Sequence, residues 1–91
     1  MPEQQIQIKM TSEKEAGVYA DFVKLWHTKD VFVFDFVTYT DIAHVKDDIV
    51  VMPATVVSRV RVPPSQVFEM MQALGTQLTF WENETGNHRA V

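Results

Sequence analysis

Two aspartates set in apolar runs are the residues best placed to do chemistry: Asp21 within Val18-Tyr19-Ala20-Asp21-Phe22-Val23, and Asp35 within Val31-Phe32-Val33-Phe34-Asp35-Phe36-Val37. A carboxylate in such a run is costly to bury unless a cation or several donors meet it. The strongly basic strand that could do so is Val56-Val57-Ser58-Arg59-Val60-Arg61-Val62. A desolvated Asp35 could serve as a general base or a ligand anchor. A satisfied pair with Arg59 is the commoner outcome, because structural ion pairs shift pKa values too. Asp35 and Arg59 are therefore assigned as a structural ion pair, and Asp21 is read in the same way.

The remaining candidates are weaker. Asp41, His44, Asp47 and Asp48 could hold a divalent metal through oxygen and nitrogen, but no glycine supplies a sharp calcium loop and a solvated acidic loop is far commoner. His27 and His88 have no serine or cysteine in a nucleophile motif. Gly17, Gly75 and Gly86 are too scattered for a phosphate loop. The sequon Asn83-Glu84-Thr85 reads as a helix end. No catalytic residue, cofactor site or metal site is assigned, and the sequence predicts a protein that is not an enzyme.

Composition narrows the classes further. A net charge of −4 opposes the basic footprint that nucleic acid demands, and Arg59 and Arg61 are the close basic pair. Cysteine is absent, which excludes disulfides and thiolate metal sites. No apolar run is long enough for a membrane span and the start of the chain is polar, so a cytoplasmic protein is expected. The 91 residues predict one domain, 1–91, yet 46% are hydrophobic and ten are aromatic. That is more apolar surface than a compact monomer of this length hides.

The elements that must position these residues follow from periodicity. Ile6, Ile8 and Met10 alternate with Gln5, Gln7 and Lys9, predicting a first strand over 4–11. Further strands are predicted over 17–27, 31–39 and 54–62, with the stretch between Thr40 and Pro53 the least determined. Phe32, Phe34 and Phe36 point to one side of the third strand and Val31, Val33, Val37 and Tyr39 to the other, as in a sheet covered twice. After Pro63-Pro64, the spacing of Val67, Met70, Met71, Leu74, Leu78 and Trp81 predicts a helix over 64–83. Gly75, mid-helix, suggests close approach of a neighbour. The fold class is α+β: a four-stranded antiparallel meander followed by one long C-terminal helix packed on the sheet.

Gly17-Val18-Tyr19-Ala20-Asp21-Phe22, Val33-Phe34-Asp35-Phe36, Ser58-Arg59-Val60 with Pro63-Pro64, and Ala73-Leu74 with Trp81-Glu82 and Gly86 carry a resemblance to a family of small uncharacterised bacterial and archaeal proteins. That family is known only as a domain of unknown function. It usually has Asn in place of Asp21 and a longer proline-rich segment in place of 40–53. The resemblance implies a small cytoplasmic domain and no reaction. In element order alone the chain is similar to the export chaperone SecB, and fold does not carry function.

One helix covers one sheet face, so apolar surface remains. Phe32, Phe34, Phe36, Phe68 and Phe80 are the interaction candidates. The expected function is a homo-oligomeric binding or assembly protein, a dimer or larger, with a protein partner and neither nucleic acid nor membrane. A SecB-like holdase for extended polypeptides and an accessory subunit of a phage-like or secretion assembly are the alternatives.

Overall fold

The computed structural model describes residues 2–88. Its spine is the apolar run after Val31, which forms strand β2 (Phe32–Tyr39) between β1 (Phe22–His27) and β5 (Ala54–Val62), both antiparallel to it. Thr28 makes the β1–β2 connection tight. Its hydroxyl accepts the Asp30 and Val31 amides, and its own N–H donates to Val31 O at 2.9 Å.

Between β2 and β5 a separate hairpin forms from β3 (His44–Lys46) and β4 (Ile49–Val51). Its two-residue turn is Asp47-Asp48, both at positive φ (51° and 63°), the geometry favoured by a right-twisted hairpin and tolerated by aspartate. These carboxylates thus belong to a turn, and no group of three metal-ligating side chains converges among the described residues.

The class is α+β, with antiparallel strands and one C-terminal helix, but the strand arrangement differs from the expectation. The main sheet has three strands, in the order β1-β2-β5. Residues 4–11 form no strand, because they lie against no sheet edge of their own chain. The second predicted strand begins at Phe22 rather than residue 17, the third spans 32–39, and the last keeps 54–62. The four-stranded order behind the SecB likeness is therefore not formed.

Helix α1 (Pro64–Thr85) begins on the proline step and ends on Gly86, whose left-handed backbone (φ 75°) lets its N–H donate to Glu82 O at 2.9 Å. It lies across the phenylalanine face without closing on it. None of its residues is buried; Val67, Met70, Gly75 and Glu82 are half-covered. The expected close packing is thus not formed, and the phenylalanine face stays open towards the helix. No helix among the described residues is long and apolar enough to cross a membrane.

Gly75 also differs from expectation, since a Cβ built there meets nothing within 4 Å. Gly75→Ala should therefore raise stability by up to ~1 kcal/mol through helix propensity, read as a higher urea midpoint.

Candidate functional site

Register decides which side chains meet. On the face away from α1 the sheet carries three rows: Trp26–Val33–Arg61, Lys24–Asp35–Arg59 and Phe22–Val37–Val56. In each, a short or medium central side chain stands between neighbours on both flanking strands. Val33, Asp35 and Val37 are accordingly the buried residues of the described chain.

Asp35 is 3% exposed and fully engaged. Arg59 Nε donates to Oδ1 at 2.6 Å and Nη2 to Oδ2 at 2.9 Å, a two-point clamp, while Trp26 Nε1 donates to Oδ2 at 3.2 Å. The guanidinium carbon also lies 5.6 Å from the Trp26 ring centroid. The Arg59 hydrogen bonds hold the Asp35 carboxyl below the ordinary aspartate range against burial, which pushes the other way. Such a carboxylate is a poor base, and both its oxygens are occupied.

Asp21 has a different fate. It precedes β1 and is exposed, so it is not the strand-embedded charge the sequence suggested. Its N–H donates to Val37 O at 2.8 Å, and its Oδ2 accepts the Tyr39 amide at 2.9 Å and the Thr38 hydroxyl at 2.8 Å. The carboxylate thus takes up an amide of β2 just where β1 ends. The Tyr39 amide first, and then the Thr38 hydroxyl, hold the Asp21 carboxyl low. Beside it the β2–β5 register shifts between Phe36 and Val37, leaving Val57 as the extra residue of a bulge.

The opposite face holds the larger feature, an open groove of about 590 Å³ between sheet and helix. Val23 and Leu25 of β1 and Phe34 and Phe36 of β2 form its floor; Met70, Ala73, Leu74 and Gln77 of α1 form its wall. Of the interaction candidates, Phe34 and Phe36 meet in this groove. Phe32 stacks on His27 at 5.4 Å between centroids, and Phe68 and Phe80 are exposed on the helix outside the groove lining.

A family model described as a protein of unknown function, DUF3467, matches residues 1–88. The chain belongs to the DUF3467 family. No curated protein and no solved structure matches it. What the DUF3467 chain offers chemically must therefore be read from its own surfaces. One is an ionic bracket with no vacant oxygen; the other is an apolar groove with one amide, Gln77, in its lining. Sequence reasoning missed Trp26 and the pair Val23 and Leu25. The signal for Trp26 was available: an indole N–H on an apolar strand needs an acceptor, and a buried carboxylate two strand positions out of register can supply it.

Proposed function

We propose that this chain is a non-enzymatic, cytoplasmic assembly protein that works as a homo-oligomer, joined through the groove and the helix stripe. The observation that carries this reading is area. The chain exposes 8598 Å², whereas a compact monomer of this mass exposes roughly 5,400 Å². The surplus, about 3,000 Å² per chain or about 6,000 Å² for a pair, lies at the upper end of obligate interfaces. Dimensions agree: the radius of gyration is 17.9 Å, against about 12 Å for a compact chain of this length.

The clamped, buried Asp35 supports a role other than catalysis, since Arg59 and Trp26 engage both its oxygens and hold the carboxyl low, which weakens it as a base. The open groove also suits an extended apolar client segment, the chaperone-type alternative. Sedimentation equilibrium at micromolar concentration tests the leading reading. The expected mass is a whole multiple of the chain mass, two or more. A single-chain mass overturns the homo-oligomer and leaves these surfaces to a heterologous partner.

A further inference from the structure

We infer that the segment Gln5–Met10 of one copy adds as a strand to the free edge of β1 in a second copy, so that the oligomer is knit by strand exchange; this rests on the homo-oligomer proposed above. The segment has the period of a half-buried strand, with Ile6, Ile8 and Met10 on one side and Gln5, Gln7 and Lys9 on the other. In the single chain it has no ladder. Ile6 is 82% exposed, Ile8 90% and Met10 67%. The first backbone hydrogen bond along the described chain outside regular elements comes only at Thr11 O, accepted from Lys14 N–H at 3.0 Å.

The acceptor edge is identified by the groove. β1 pairs with β2 alone, so its outward amides and carbonyls template another strand. The groove floor is made by β1 and β2 and by no residue of β5. An apolar strand laid beside β1 extends that floor, with Ile6 and Ile8 continuing the row of Val23 and Leu25. The other edge, β5, is less suitable: its far face presents both Arg59 and Arg61 to Lys9, whereas β1 presents Lys24. An antiparallel register with Gln7 opposite Lys24 separates Lys9 from that charge.

A second copy is favoured over the chain's own β1 by the connection. Residues 11–21 hold two successive turns, Lys14 N–H to Thr11 O and Gly17 N–H to Lys14 O at 3.1 Å, with Gly17 at φ 71°. This is an ordered spacer, longer than the two to five residues of a usual hairpin loop. The segment it carries pairs with no strand of its own chain. Two added strands with their side chains against two grooves also supply a share of the missing interface that one helix stripe does not.

The test uses the full chain, which has no cysteine of its own. Gln7→Cys and Lys24→Cys are prepared separately, unfolded, mixed, refolded and treated with a short bis-maleimide. A two-chain covalent product well above that of either variant alone is expected. A chain carrying both cysteines that links within itself at high dilution, as a single-chain product, overturns the exchange. In parallel, Ile6→Asp/Ile8→Asp should weaken association about a hundred-fold or more, since two isoleucines lose their burial. Its helical signal should persist, because the segment lies outside the sheet. If the unaltered chain is oligomeric and the double variant associates equally well, strand exchange is wrong and the oligomer stands; if the unaltered chain is monomeric, both fall.

Discussion

Arg59→Ala lowers the thermal midpoint more than Asp35→Asn does, and it weakens the dependence of stability on acid. The order follows from unequal burial: the Arg59 side chain is 50% exposed and that of Asp35 only 5%. When the carboxylate is replaced by an amide, the guanidinium turns to water and the amide oxygen still accepts from Trp26. When the guanidinium is removed, a buried carboxylate keeps one indole donor and no counterion, the costly way to break a buried pair. A drop of roughly 5–10 °C for Arg59→Ala, and less than half of that for Asp35→Asn, is expected by calorimetry at one protein concentration.

The size of the pH effect separates an ion pair from mere packing. In the native chain the Asp35 carboxyl is held low, chiefly by Arg59. Its folded pKa lies below the unfolded value of about 3.9, so its contribution is present above that value and is lost as pH falls towards the folded pKa. Without Arg59 the largest lowering influence is gone while burial still pushes the carboxyl up, so the folded pKa moves up towards the unfolded one. The contribution that acid removes from the native chain then shrinks. Arg59→Ala therefore loses less stability than the native chain as pH falls from 7 to 3. Urea midpoints at pH 7 and pH 3 decide it, and parallel curves for the two proteins would reject the coupling.

The parts of this fold legible in the sequence are those fixed by local period and backbone chemistry. β5, bounded by Pro53 and Pro63, has its predicted limits, and α1 starts at Pro64 and stops before Gly86, within two residues of expectation. The hairpin β3–β4 was hidden because its strands have three residues each, too few for alternation, and because Asp-Asp is a weaker turn signal than Asn-Gly. The segment 4–11 shows a different gap. Its period describes how a strand would lie in a sheet, but which edge it meets, and in which copy, is not encoded locally. Asp21 was misplaced for a related reason: a short apolar run around a polar residue looks like a strand interior, whereas here the carboxylate ends the ladder by taking the Tyr39 amide. The groove could not be read either, since it exists only because β1 and β2 face Met70, Ala73, Leu74 and Gln77 across space.

Leu74→Asp should weaken self-association about a hundred-fold, although Leu74 is 67% exposed in the single chain. Judged by the isolated chain, such an exposed substitution changes stability by no more than about 0.5 kcal/mol beyond the lower helix propensity of aspartate. The stripe to which Leu74 belongs contradicts that judgement. Met70, Leu74, Leu78 and Trp81 recur along one side of α1, whereas the other mixes Glu69, Gln72, Thr76 and Asn83 with Phe68 and Phe80. A helix in contact with water all round has no need of so continuous an apolar stripe. Gln72→Asp is the matched control, with the same new side chain in the same helix off the stripe. Sedimentation across a concentration series should separate the two, the control remaining within about tenfold of the native chain. Equal behaviour of the two variants would mean that water, and not a second chain, covers the stripe; a wide gap would place Leu74 inside the interface that the excess surface calls for.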